Sequence, residues 1–253
     1  MKRLLFSKTM EIVKKPTSKN PLVSIIIIAL NEEKNILNVL QSLRRQTFSD
    51  MEIILADGFS EDKTIEIAQP LVDGIICESR RNPAFERNAG ALLARGKILA
   101  FADSDNILPK KWVENIVVAF NSNPKIVGVW GSVYFSDTNL IEKIISKIAM
   151  RVFCFIESIK NHVAPACANY AFRKDIFFNI DGFDTSYRTC EDHEIFQRLK
   201  KEGEIKYSPK IEVCSSARRI KAMGYLNFLR FQTKNMKQFY QTGQASKKYE
   251  NIR

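Results

Sequence analysis

The sequence predicts an α/β protein built on a mostly parallel central sheet, and three observations carry that prediction. Short continuous apolar runs recur: Val23 to Leu30, Met51 to Ala56, Gly74 to Cys77, and Ile98 to Ala102 ending in Asp103. Runs of this length without alternation read as strands buried on both faces. Residues at helical spacing fill the intervals, so strand and helix alternate over about residues 21–120, the signature of a parallel sheet with right-handed crossovers. Acidic residues rather than glycines stand where the strands stop, and in open α/β sheets those ends collect ligands.

The elements follow in order. Residues 1–20 carry Lys2, Arg3, Lys8, Lys14, Lys15 and Lys19 and read as a loosely ordered basic arm, with contact to anionic lipid as the sharper alternative. Order begins at Pro21. After the first strand, Asn31-Glu32-Glu33 leads into a helix carrying Ile36, Leu37, Leu40 and Leu43. The Met51 strand ends in Asp57-Gly58-Phe59-Ser60-Glu61-Asp62, where Ser60 or Asp62 is placed to cap the next helix. Gly74 to Cys77 is a short strand, Glu86 to Ala94 a helix, and Gly96 a break before the Ile98 strand.

Past residue 120 the pattern loosens. Ile126 to Tyr134 reads as a strand. Leu140 to Ile159 is a helix with Ile141, Ile144, Ile148, Val152, Phe155 and Ile159 on one face, and with Lys143, Lys147, Arg151 and Lys160 off that stripe. Such a helix packs on a core or rests on a bilayer, and the sequence leaves both open. Asp181-Gly182-Phe183-Asp184 is a turn. Glu191-Asp192-His193-Glu194 opens a helix that Gly203 ends. Lys210 to Cys214 reads as a strand, Arg218 and Arg219 as a basic turn, and Tyr225 to Tyr240 as a basic helix. The organisation expected is an arm over 1–20, a domain over 21–220, and a C-terminal basic helix over 221–253.

Bulk properties narrow the function. The 253 residues are 45% hydrophobic and 26% charged, ordinary values for a globular chain, but the net charge is +11. That excess calls for an anionic partner: phosphorylated small molecules or an anionic membrane surface. Nucleic acid is not expected, because the aromatics are mostly Phe in apolar settings and do not interleave with Arg and Lys as base-stacking platforms do. The five cysteines form no Cys-x-x-Cys pair, which fits a reducing compartment. With no signal-peptide pattern and no long uncharged apolar run, the expected location is cytoplasmic, peripheral at most to the inner face of a membrane.

The acidic strand ends carry the candidate chemistry. Asp103 and Asp105 are spaced i, i+2, so both point one way while strand geometry lasts. Two hard oxygen ligands suit Mg2+ or Mn2+ completed by phosphate oxygens. The plain alternative makes Asp103 a helix cap and Asp105 a solvated loop residue. Asp57 can accept hydrogen bonds from a base or ribose, or simply form its turn. Glu191 and Asp192 suit the positive end of a helix, yet a carboxylate there can also deprotonate an acceptor hydroxyl. Arg218 and Arg219 offer forked donors to phosphate. No Gly-x-Gly-x-x-Gly follows the first strand and no Gly-x-x-x-x-Gly-Lys is present, which disfavours dinucleotide and P-loop chemistry.

In this order, Asp57 to Thr64, Arg87-Asn88-Ala89-Gly90, Asp103-Ser104-Asp105, the Gly182-Phe183-Asp184 turn and Glu191-Asp192 resemble the motifs of the family 2 glycosyltransferases. The resemblance covers about residues 21–220. It implies the GT-A fold, a Rossmann-like three-layer sandwich, with a nucleotide-binding half over about 21–120 and an acceptor half over about 121–220. It implies inverting transfer of one sugar from a UDP- or GDP-sugar to an acceptor hydroxyl or lipid phosphate, in glycan or glycolipid assembly. Asp103 and Asp105 would then hold Mn2+ or Mg2+. Ala29, Asn31, Glu32, Asp57, Arg87 and Ser104 would lie on the nucleotide side. Asp192 would be the general base and Glu191 its neighbour on the acceptor side. The acceptor would be a glycan or a lipid-linked molecule.

Some features depart from that pattern. Cys214-Ser215-Ser216 stands where many members carry a metal-binding histidine. Phe59 replaces a small residue, and the Gln-x-x-Arg-Trp motif of processive synthases is absent. Two other classes compete. A nucleotide-sugar-forming nucleotidyltransferase would carry a basic Gly-rich loop after the first strand, where Asn31-Glu32-Glu33 has the opposite charge. A non-enzymatic polyanion binder would leave Asp192 without a task and would tolerate Asp103→Ala.

Overall fold

The computed structural model describes residues 7–17, 20–135, 140–163, 165 and 168–243. The apolar runs form β2 (Val23–Ala29), β3 (Met51–Asp57), β4 (Gly74–Glu78) and β5 (Ile98–Asp103). They pair in parallel in the order β4-β3-β2-β5, with Ala29 opposite Asp57 and Ile28 opposite Asp103. This register brings the carboxyl ends of β2, β3 and β5 level, so one sheet edge gathers the acidic residues.

The helices between them are α1 (Ile36–Arg44), α2 (Thr64–Ala68), α3 (Pro83–Leu93) and α4 (Trp112–Asn121). α1 and α4 bury Ile36, Val39, Leu40, Trp112 and Ile116 against one face of the sheet, and α3 buries Ala84, Ala89 and Ala91 against the other. Neither expected residue is the N-cap of α2: Lys63 stands there without a side-chain cap, and Asp62, one residue earlier, accepts from Thr64 N through Oδ1 at 2.9 Å. α3 begins earlier than the expected Glu86. Asn82 caps it, accepting from Ala84 N at 2.9 Å, and Pro83 opens its first turn.

The second half departs from an all-parallel plan. β6 (Asn106–Ile107), β7 (Ile126–Phe135), β8 (Tyr170–Arg173) and β9 (Glu204–Ser215) extend the sheet. β8 inserts antiparallel between β5 and β7, β7 and β9 run parallel, and β6 closes antiparallel on β9. The sheet is therefore mixed: parallel through the first half, largely antiparallel through the second. The arm is also corrected in part. Met10–Lys14 is a strand, β1, pairing antiparallel with β4 at the sheet edge.

Five further helices lie over the second half. α5 (Leu140–Ile159) crosses β7 and β9, and α6 (Lys174–Asn179) follows β8. α7 (Glu191–Leu199) buries Ile195, Phe196 and Leu199 in the core that holds α3. α8 (Arg218–Met223) replaces the expected basic turn and leads into α9 (Tyr225–Thr242). The C-terminal helix is thus confined to part of 221–253, and 244–253 lie outside the described residues.

α5 corrects the core-packing reading of its stripe. Ile141, Ile144, Ile148, Val152, Phe155 and Ile159 are 51 to 70% exposed. Cys154 is buried and Met150 partly buried on the opposite, sheet-facing side.

Candidate active site

The site lies at the carboxyl ends of β2, β3 and β5, where α3 and α7 converge. Gly90 permits this convergence. A Cβ there would stand 2.5 Å from Cγ2 of Ile26, so glycine lets α3 lie directly on β2. Asn88 then locks α3 to the loop before α7. Its Nδ2 donates to the Phe183 carbonyl at 2.8 Å, and its Oδ1 accepts from Phe183 N at 2.9 Å. The Arg87-Asn88-Ala89-Gly90 segment and the Gly182-Phe183-Asp184 turn are thus two halves of one contact.

Arg87 is the hub. Its Nη1 donates to Glu191 Oε1 at 2.5 Å and its Nη2 to Asp103 Oδ1 at 3.1 Å. One guanidinium joins the end of β5 to the start of α7, and Glu191 lies 104 residues from Arg87 in sequence. It is almost wholly buried, and the surrounding carboxylates hold its pKa well above the usual arginine value despite desolvation. Its Nε has no hydrogen-bond partner among the described residues.

Asp192 sits beside this pair on the first turn of α7. Burial pushes its carboxyl up to about 6; Arg87 and the His193 backbone N–H pull it down, and the charge of Asp103 pushes it up again. Burial likewise raises Glu191, against the pull of Arg87. His193 is buried and lowered to about 4, so it is neutral near pH 7. Its Nδ1 meets the Tyr240 hydroxyl of α9 at 3.2 Å.

The nucleotide-side candidates gather at the same edge. Ala29 is buried and its carbonyl accepts from Gly58 N at 2.8 Å. Asn31 adopts a left-handed φ of 55°; its N–H donates to Ser60 Oγ at 2.9 Å and its Oδ1 accepts from Glu61 N at 2.8 Å. Asp57 is fully buried, with Ser60 N at 2.6 Å on one oxygen and Ser60 Oγ at 2.7 Å on the other. Desolvation raises its pKa, and Ser60 opposes this. In this state Asp57 forms the turn, the plainer of its two readings. Ser104 is buried between the two aspartates.

Arg218 reaches the site from α8. It forms a forked pair with the buried Glu32, including Nη1 to Oε2 at 3.2 Å, and stands 3.6 Å from Asp105 Oδ2. Asn31, Glu32, Asp62 and Arg218 line a cavity of about 230 Å3. The side chain of Arg219 lies outside the described residues. The structure therefore brings Arg87, Asp103, Glu191 and Asp192 together, with Arg218 beside Asp105 and Glu32.

Tyr170 escaped the sequence reading. It is wholly buried on β8, and Arg87, Asp192, Glu191 and Asp103 all act on it electrostatically. Its hydroxyl has no partner among the described residues. A tyrosine inside a short aromatic strand carries no sequence signal of such a position.

The donor set fits a hard divalent cation in part. Asp103 and Asp105 supply two carboxylates of the oxygen type that Mg2+ and Mn2+ prefer. Among the described residues no group of three His, Cys, Asp or Glu forms a complete cage. The pairing of Asn106 with Ser215 brings the Cys214-Ser215-Ser216 segment, which carries no histidine, beside the Asp105 turn. Two protein carboxylates suit an ion whose remaining ligands are phosphate oxygens and water.

A mixed sheet with helices on both faces and carboxylates at its parallel strand ends defines the GT-A architecture. The fold is similar to that of the mannosyltransferase PcManGT from Pyrobaculum calidifontis, solved with GDP-Man and Mn2+: TM-score 0.70, 17% identity, 94% of this chain and 69% of that one. Glucosyl-3-phosphoglycerate synthase from Mycobacterium tuberculosis, solved with Mn2+, UDP and glucosyl-3-phosphoglycerate, matches with TM-score 0.59 and 16% identity over 90% of this chain and 82% of that one.

The sequence profile of Glycosyl transferase family 2 matches residues 24–181. The chain belongs to the family 2 glycosyltransferases. A glycosyltransferase of Haemophilus influenzae is 24% identical over 185 residues, 72% of this chain and 63% of that protein. The UDP-Glc:alpha-D-GlcNAc-diphosphoundecaprenol beta-1,3-glucosyltransferase WfaP of Escherichia coli is 31% identical over 129 residues, 49% of this chain and 51% of that protein. The chain spans about 56 to 63% of the length of the leading curated relatives it matches.

Proposed function

We propose that this protein transfers a single sugar, with inversion, from a UDP- or GDP-sugar to the hydroxyl of a glycan or lipid-linked acceptor. The observation that carries the reading is the Arg87 bridge. It sets Asp192, a carboxyl raised to about 6, beside the strand-end carboxylate Asp103. A base with that pKa is ionised near neutral pH yet still holds a proton well enough to accept one in the transition state. Asp192 takes the acceptor proton as its oxygen attacks the anomeric carbon from the face opposite the leaving diphosphate. Glu191 stays paired with Arg87 and keeps the start of α7 in place. No covalent sugar intermediate is needed, so one base suffices.

Asp103 and Asp105 would hold Mn2+ or Mg2+, which when bound neutralises charge on the leaving diphosphate. Both fold relatives described above were solved with Mn2+. Asn31, Glu32, Asp57 and Ser104 flank the base and ribose, and Arg218 exchanges its carboxylate partners for phosphate oxygens. Among the described residues no helix is long and apolar enough to cross a membrane. A peripheral place at the cytoplasmic face of a membrane completes the proposal, with the diphosphoundecaprenol-linked acceptor in the printed name of WfaP as its support.

The test is a thermal-shift panel of UDP, GDP, CDP and dTDP, each with and without Mn2+, followed by product analysis with the sugar donor of the nucleotide that binds. A native-state ligand raises the melting point by mass action. A shift with one nucleotide only in the presence of metal supports the reading. No shift with any of them removes it.

A further inference from the structure

α5 is built inside out. Its twenty residues turn their polar and small side toward β7 and β9, and their apolar side away from the protein. Besides the six stripe residues, Ile145, Phe153 and Ile156 are also more than two-fifths exposed. Nine large apolar side chains thus form one strip about 30 Å long. Scattered apolar residues are normal on a surface, but a contiguous strip marks a contact site.

The strip has a charged border. Lys143, Lys147 and Arg151 recur every four residues and form one row that starts on the sheet-facing side, in register with Met150 and Cys154, and reaches the border of the strip at Arg151. Lys143 and Lys147 lie over the Tyr134 ring at 5.7 and 4.8 Å. Glu212 pairs with Lys147 at 2.7 Å and Arg151 at 2.8 Å, one acid against two of the three cations. Lys160 adds another cation at the far end, beside Glu157.

We propose that α5 docks this protein on an anionic membrane surface, lying in the headgroup layer with its apolar strip entering the acyl boundary. An apolar face bordered by a cationic row is the chemistry that recognises such a surface. A second copy of the chain fits less well. Nine side chains 44 to 70% exposed carry enough apolar surface for a dimer contact, so area alone does not separate the two occupants. A twofold contact, however, would set the same cationic rows against each other.

The placement serves the cleft. Glu157, on the last turn of α5, acts electrostatically on Tyr240, and the Tyr240 hydroxyl touches His193, the neighbour of Asp192. The strip therefore ends beside the helix that carries the proposed base, where an acceptor held in the lipid would arrive. Only this last point rests on the transferase reading; the docking stands on α5.

The experiment is co-sedimentation of the full chain with vesicles of phosphatidylcholine alone, and of phosphatidylcholine with phosphatidylglycerol. It compares wild type with the triple variant Ile144→Ser, Ile148→Ser, Phe155→Ser. All three positions are exposed, so the variant is expected to keep its melting point and any nucleotide-dependent shift. Wild type should partition to the anionic vesicles on the order of tenfold more than to neutral ones, the effect of the chain's net charge of +11. The triple variant should stay in the supernatant. Wild type remaining in solution with anionic vesicles would overturn the proposal, as would a triple variant that sediments equally. So would a wild-type dimer by light scattering that the triple variant dissolves without any vesicle binding. Vesicle binding without a nucleotide shift would leave the docking standing and remove the transferase reading alone.

Discussion

Asp192→Asn is the sharpest test of the proposed base. The substitution keeps size and shape and removes only the ability to take a proton. Positioned general bases contribute about 10²- to 10⁴-fold, so transfer should fall by that factor, about 3 to 5 kcal/mol on the barrier. The wild-type rate should itself follow the ionisation of Asp192. With the carboxyl raised to about 6, only about a tenth of molecules carry the ionised base at pH 5, and the rate should climb through pH 6 to a plateau. Stability runs the opposite way. The folded pKa lies above the ordinary value of 3.8, so this group's stabilising contribution is present at acid pH and lost as pH rises through about 6. At pH 8 the wild type carries a partly buried charge that the Asn variant lacks, and the variant should melt no lower. The assay is release of nucleoside diphosphate from the donor with glycan and lipid-linked acceptors, read across pH, alongside a melting curve at each pH. A variant that transfers within a few fold of wild type, or a wild-type rate flat from pH 5 to 7, would refute the assignment. A slow variant that also melts early would show damage to α7 instead of loss of a base.

Three other outcomes are expected. Asp103→Ala should abolish the metal-dependent part of any nucleotide-induced thermal shift; a shift kept with Mn2+ would mean that the cation lies elsewhere. Asn88→Ala leaves the Phe183 N–H and carbonyl without their buried partner, a loss of about 2 kcal/mol, or roughly 4 to 8 °C in melting point for a chain of this size. Gly90→Ala drives a methyl into Ile26, and calorimetry should register about 1 to 3 kcal/mol of overpacking; a neutral result would show that α3 lifts freely from β2.

The first half of the fold was legible because each strand is a buried apolar run, and β2, β3 and β4 are neighbours in the sheet as they are in sequence; β5 returns to lie beside β2. β1 was not, since Met10–Lys14 mixes apolar and charged residues and its partner β4 lies more than sixty residues away. β8, four residues long, and β6, two, are shorter than any periodicity can reveal. For α5 the apolar stripe was read correctly but its direction was left open, because a helical period shows that a face exists and says nothing of where it points. The site divides the same way. Asp103, Glu191 and Asp192 announce themselves by position in their elements. The Arg87 bridge, the hold of Arg218 on Glu32 and the place of Tyr170 are products of tertiary geometry, and Glu32 and Arg218 are 186 residues apart. Sequence chemistry overlooked that Ser60 supplies both hydrogen bonds to Asp57, although its spacing three residues on was visible.

The Asn88 clasp has a consequence for how this chain can change over generations. Most paired positions in a protein can drift together, one side chain compensating for another. Here the partner of Asn88 is not the Phe183 side chain but its peptide group, which every residue except proline presents alike. No substitution at 183 can answer a loss at 88. The clasp is therefore a coupling without covariation: it restrains position 88 strongly and leaves no correlated trace at 183, while the register between α3 and the turn before α7 stays fixed.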